Sequence, residues 1–302
     1  MFNKFSISLA LSALIFVGCG GGSSNSSSNS STTPSNATRA VSVNFEALVN
    51  GDNFSCEKSY ENIGVTKVSG GFKDFRLYVS EVKLIDKSGE AVAVELTQDG
   101  TWQFDSVALL DFENASGSCV DRANTAETNT KVSGTVLDRE YVAVSFTLGV
   151  PKTLNHTNID ETPAPLNSSA MNWNWQGGRK FTKMEFAPSE AITKTDGTTS
   201  PIWNFHLGST GCEGDVVENK VECAQPNRVY VKLDNFNVDS QKVSVDFGSL
   251  VKDSYLNEDK GGASGCMSGQ SDPECSSIFA NLDLTLGVCE DGCEKQILFS
   301  VK

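Results

Sequence analysis

Three residue types in this 302-residue chain have chemistry to offer: two histidines (His156 and His206), nine cysteines, and a close pair of tryptophans. Trp173 and Trp175 stand one residue apart in MNWNWQGGRKF (171–181), among Asn172, Asn174 and Gln176 rather than among aliphatic side chains. Neutral imidazole is a good metal ligand, whereas indole offers a metal almost nothing, because its N–H only donates and its lone pair belongs to the ring. In IWNFHLGSTGC (202–212), alternation puts Trp203, Phe205 and Leu207 on an apolar face and turns Asn204 and His206 to the other side. A single His on a strand is more often a hydrogen-bonded residue than a ligand. His156 falls in TLNHTNIDETPAPLN, a Pro- and Asn-rich loop where an exposed side chain is expected. Hydrolytic and phosphate-binding signatures are missing: the chain has no G-x-S-x-G, no H-E-x-x-H, no Gly-rich loop after a strand, and no pair of carboxylates that stands out from surface charge.

Export is written at the N-terminus. Lys4 precedes a short apolar run from Ile7 to Val17, too short for a mature bilayer span, and Gly18-Cys19 follow. IFVGC resembles the lipobox of bacterial lipoproteins, with Phe16 an unusual residue at its position, so residues 1–18 read as a signal peptide and Cys19 as the acylated first residue. A plain secretory signal is the rival reading, and it leaves Cys19 without a role. Residues 20–39, GGGSSNSSSNSSTTPSNATR, bury almost nothing and read as a flexible tether. Gly20 follows Cys19 where Asp would favour the inner membrane, which points to an outer-membrane lipoprotein facing either the periplasm or the outside. Residues 40–302 then form one domain large enough for a real core. Acidic residues outnumber basic ones 38 to 24 without a basic cluster, which argues against nucleic acid as a partner and suits either a solvated surface or docking to a basic protein.

The eight remaining cysteines form an even set in an exported chain, which reads as disulfides. Cys212/Cys223, Cys266/Cys275 and Cys289/Cys293 are close pairs flanked by turn formers, leaving Cys56 and Cys119 to close the longest loop. Cys289-x-x-x-Cys293 would also suit a soft metal, but thiols so closely spaced in a turn tend to oxidise outside the cytosol. Period-two alternation recurs in VSVNFEALV (41–49), YVAVSFTLGV (141–150), RVYVKLDNF (228–236), KVSVDFGSL (242–250) and QILFSVK (296–302), separated by Gly, Asn, Asp and Pro. The pattern predicts an all-β domain of antiparallel strands, a sandwich or barrel with disulfide-stapled loops. SSAMNWNWQ could instead make one or two helical turns; a strand would put both indoles on one face, a helix on nearly opposite sides.

FRLYVSEVKL, WQFDSVALLDFE, TNTKVSGTV, FTLGVPKTLNH, LNSSAMNWNWQGGRKF, FHLGSTGC, CAQPNR and GCMSGQSDPEC, in that order from about Val41 to Phe279, resemble the metallo-mystery-pair four-Cys proteins, also called MbnP-like proteins. The resemblance implies an exported, non-enzymatic copper-binding protein. Its implied partner is a dihaem, peroxidase-like cytochrome c (MbnH-like) that oxidises a tryptophan to kynurenine. Ring opening would create an aryl amine, a nitrogen donor where indole had none, and the chain itself carries no C-x-x-C-H haem motif. Carried over, His206 in FHLGSTGC and His156 in TLNH are the expected copper ligands, and Trp175 and Trp173 the alternative sites of modification. Met171 is a candidate soft ligand or a packing residue, while Trp203 and Trp102 read as core aromatics. Arg179 departs from the family pattern, which has an aromatic there; it either stacks on a neighbouring indole or alters the local packing. The competing class is a metal-free lipoprotein binding module, an adhesin or carbohydrate-binding domain, which the tether, acidity and β pattern would suit equally.

Overall fold

Alternating apolar residues on Thr38–Val49 bury Val41, Val43, Phe45, Ala47 and Val49, and they face a second sheet. The computed structural model describes residues 37–173, 178–216, 218, 220–284 and 296–302. The expected signal segment, Cys19, most of the tether, Trp175 and the Cys289/Cys293 pair lie outside them. One sheet runs in the order Phe299–Val301, Lys242–Asp246, Thr38–Val49, Lys131–Leu137, Glu95–Leu96. The other runs Val229–Asp234, Tyr141–Leu148, Val68–Asp86, Thr182–Pro188, Trp203–Phe205, Gly265–Cys266, with Val107–Asp111 also on the long strand. Phe146 of the second sheet meets Phe45 and Phe299 of the first edge-on, with ring centroids 5.5 and 5.1 Å apart. The two apolar faces therefore close on each other as an all-β sandwich.

Three details depart from the sequence pattern. The first strand starts at Thr38, inside the expected tether, because Thr38 and Arg39 pair with Leu137 and Val136 and Arg39 also donates to Asp239 at 2.9 Å. Most ladders are antiparallel, but Thr38–Val49 runs parallel to Lys242–Asp246, a pairing that the long intervening chain permits. KVSVDFGSL is a strand only to Asp246; Phe247–Leu250 is a helical turn. The cause is Asp246, whose carboxylate caps that turn by accepting from the Gly248 and Ser249 amides. It also accepts from the Asn50 and Gly51 amides, so one side chain ties two distant turns together.

Among the described residues three disulfides staple the domain: Cys56–Cys119, Cys212–Cys223 and Cys266–Cys275. The first closes a loop with a sequence separation of 63, and restricting the unfolded chain that far is worth about 4 kcal/mol.

Candidate metal centre

Residues 169–173, 178–182 and 203–212 build the site together. Ser169–Met171 form one 3-10 turn, then Asn172–Trp173 pair with Gly178–Arg179 as a short antiparallel hairpin. Trp173 is thus a strand residue, and Trp175 lies between the two arms, outside the described residues. Next, Phe181 donates its amide to Leu207 at 2.6 Å, which fixes the hairpin beside FHLGSTGC. That segment is pinned along its length. His206 donates its amide to the Cys266 carbonyl, Leu207 to Thr182 Oγ1 and Gly208 to Ser268 Oγ, while Asn227 Nδ2 donates to the Gly208 carbonyl.

Two glycines let rings lie directly on backbone. A Cβ at Gly208 would stand 2.3 Å from Trp173 Cζ3, so the indole rests on the segment two residues past His206. A Cβ at Gly178 would stand 2.9 Å from His156 Cε1, so the second imidazole rests on the other arm of the hairpin. The indole of Trp173 and the imidazole of His156 therefore share one small hairpin, and Trp173 also abuts the segment that carries His206. Trp173 is itself buried.

His206 is buried, and its Nε2 lies 2.9 Å from Glu185 Oε1. The register explains the pair: Glu185 lies opposite Asn204, two residues before His206 and on the same side of the strand. A carboxylate holds the proton on Nε2, which leaves Nδ1 as the lone-pair nitrogen. That Nδ1 is buried and has no hydrogen-bond partner among the described residues. Burial pushes the imidazole below its ordinary range, with Glu185 opposing, so it stays neutral. For Glu185 burial alone would raise the carboxyl, yet His206 and the Lys183 ammonium hold it down to about 2. The charges continue inward. Lys183 contacts Glu185 at 3.2 Å and Asp74 at 2.5 Å, Asp74 pairs with Arg76, and Arg76 lies 4.0 Å from Glu113.

His156 is not the exposed loop residue that its surroundings in sequence suggest. It follows the short helix Lys152–Asn155 and is only 3% exposed, covered by Gly178 and by the Cys212–Cys223 bridge. Asn155 settles its tautomer. The Arg179 amide donates to Asn155 Oδ1 at 2.9 Å, so Nδ2 is the atom 3.0 Å from His156 Nε2. Nε2 is then an acceptor, and the proton sits on Nδ1.

Arg179 turns to backbone carbonyls. Its buried guanidinium is spent on the carbonyls of Leu166, Asn155 and Thr157, at 2.5–3.1 Å. It clamps the loop that bears His156 onto the hairpin, and burial lowers its pKa. Met171 and Trp203 are core residues, both fully buried, and Trp102 packs partly buried against the same core.

Asn155 and Glu185 escaped sequence reasoning, and Arg179 was singled out there without its carbonyl partners. Of these, Asn155 was signalled by adjacency to His156 and Glu185 by its strand phase against His206; Arg179 gave no sign of its carbonyl partners. Among the described residues, one group of three or more His, Cys, Asp or Glu has ligand atoms within 4.8 Å of one another: His156, Cys212 and Cys223. Its two sulfurs are bonded to each other.

The MbnP family model matches residues 38–268, which include the hairpin, both histidines and all three bridges but for Cys275. The chain belongs to the MbnP family. The solved structure of MbnP from Methylosinus trichosporium is similar at a TM-score of 0.79 and 36% identity, covering 88% of this chain and 98% of that one. A search of curated proteins finds no match. Family membership and the shared fold put this site within the part of the chain that MbnP proteins have in common.

Proposed function

We propose that this MbnP-family chain is an exported copper-binding protein and the substrate, not the catalyst, of an oxidative modification. A partner dihaem, peroxidase-like cytochrome c opens an indole of the WNW pair to kynurenine. The observation that carries the reading is Trp173 seated on Gly208, on a hairpin whose other arm carries His156 and whose neighbouring segment carries His206. The residues fit copper. His206 Nδ1 is a buried, neutral imidazole nitrogen already oriented through Nε2, and His156 is a second neutral imidazole. Copper supplies a preference for such nitrogen donors and for the aryl amine that ring opening adds. Glu185 and Asn155 hold the two rings, and the surrounding segments keep them dry. The modified residue is Trp173 or Trp175. A lipid on Cys19 and the tether before Thr38 would hold the domain at the outer membrane.

Two measurements test this. Protein co-produced with a dihaem partner should gain the mass change of indole ring opening at Trp173 or Trp175 in peptide mapping; an unaltered mass there removes the oxidative half. His206→Ala should lower copper affinity at least about a hundredfold in chelator competition while the β circular dichroism is retained. Unchanged binding would exclude His206 as a ligand, and absence of copper binding by the unaltered protein would leave the metal-free binding module as the better account.

A further inference from the structure

The three described bridges are not equally reachable. Cys56, Cys119, Cys266 and Cys275 are 3, 0, 0 and 1% exposed. Cys212 and Cys223 are half-buried, on a hairpin (Thr210–Asp215 with Lys220–Gln225) whose other residues mostly face solvent. Thiol–disulfide exchange requires a thiolate to reach a sulfur, so an external dithiol meets this bridge first. Cys212 and Cys223 are also directly opposite each other in register, and the hairpin strands hydrogen-bond only to one another among the described elements. Opening the bridge would therefore leave the sandwich ladders in place.

What lies behind this bridge is the buried imidazole of His156, with Cys223 Sγ 3.3 Å from Nε2. All three donor atoms already fall within 4.8 Å of one another. Thiolate–metal and imidazole–metal bonds of about 2.3 and 2.0 Å require donor separations of only about 3.5 Å around a tetrahedral ion. Closing from within 4.8 Å to that spacing calls for side-chain rotation rather than movement of the backbone. The Asn155 amide that now donates to Nε2 retains its second contact, Ser209 Oγ at 3.3 Å.

We propose that Cys212–Cys223 is a reducible gate on a metal site of its own, in which the two thiolates and His156 Nε2 hold one thiophilic d10 ion of the Zn2+ type. The bridge takes two electrons and two protons from a dithiol, which leaves as its cyclic disulfide. Binding the ion then displaces the two thiol protons, and solvent fills the fourth position. The site differs from the copper reading but draws on the same Nε2 lone pair of His156, so one ion at a time can hold that ring. Reduction accordingly gives His156 two soft neighbours on its Nε2 side that the oxidised protein withholds.

The test uses metal-free protein, so copper binding does not enter it. Stepwise dithiothreitol followed by alkylation and peptide mapping should label Cys212 and Cys223 before Cys56, Cys119, Cys266 or Cys275. After anaerobic removal of the dithiol, Co2+ should give near-ultraviolet thiolate-to-cobalt charge-transfer bands and tetrahedral visible bands at one ion per chain, displaced by Zn2+. Cys223→Ser should abolish the charge-transfer bands, and His156→Ala should weaken cobalt binding about tenfold or more. The proposal is overturned if a different one of these three bridges opens first, or if the opened bridge yields no charge-transfer bands. Bands that survive Cys223→Ser, arising from other thiols, would overturn it too, as would cobalt affinity unchanged by His156→Ala.

Discussion

Glu185 decides which nitrogen of His206 is available. Its carboxylate accepts from Nε2, and the only imidazole nitrogen then left with a lone pair is the buried Nδ1. Glu185→Gln keeps an oxygen acceptor and should lower copper affinity by less than about tenfold, whereas Glu185→Ala, which frees the ring, should cost about 10–100-fold. A competing chelator measures both, and equal effects for the two variants would mean Glu185 acts by charge rather than by orientation. Arg179 makes a different kind of contribution. Three carbonyls receive its guanidinium in a buried setting, and each would be stranded by its removal. Arg179→Met should therefore lower unfolding stability by about 3 kcal/mol or more, read in urea, and loosen the His156 loop.

Among the elements, the hairpin Asn172–Trp173/Gly178–Arg179 has the least regular structure and the greatest consequence. Its position depends on Gly208, because the Trp173 ring occupies the space a side chain would need. Gly208→Ala should destabilise the fold by about 1–3 kcal/mol and shift tryptophan emission, with copper affinity falling alongside. An unshifted spectrum would show the indole was never seated there. How much of this was legible in the sequence follows from distance along the chain. The faces of 41–47 and 203–205 were readable because burial alternates along them, whereas Tyr141–Leu148 is buried on both sides apart from Val142 despite its alternating sequence. Cys212/Cys223 was readable because a hairpin joins near neighbours. The burial of His156 was not, since its covers, Gly178 and Cys223, come from other elements far along the chain. The turn at Phe247–Leu250 was also hidden, because the strand alternation continues through it and only the Asp246 cap interrupts.

Across the whole molecule, buried charge sets the pH response. Burial pushes the Asp111 carboxyl up to about 8, with Glu113 and Asp74 adding to the effect and Arg76 opposing it. The folded pKa lies above the unfolded value of about 3.9, so the stability Asp111 contributes is present in acid and lost as pH rises through about 8. Glu185 works in the opposite sense: its folded value of about 2 contributes above about 4.3 and is lost on further acidification. Asp111→Asn, which retains an oxygen for the Glu113 amide, should flatten the fall in melting temperature between about pH 5 and 9. If the two proteins melt in parallel over that range, Asp111 is not the titrating group.

Asp246 also sets a timetable for folding. Its carboxylate reaches back 196 positions to the Asn50 amide, beside the strand that Lys242–Asp246 joins in parallel. As the polypeptide emerges from its N-terminal end, the edge of Thr38–Val49 must wait, unpaired and apolar on one face, until four-fifths of the sequence has emerged. Such a chain cannot finish its first sheet piecemeal, so holding factors that shield an early strand from its neighbours would govern its yield more than any gain in final stability.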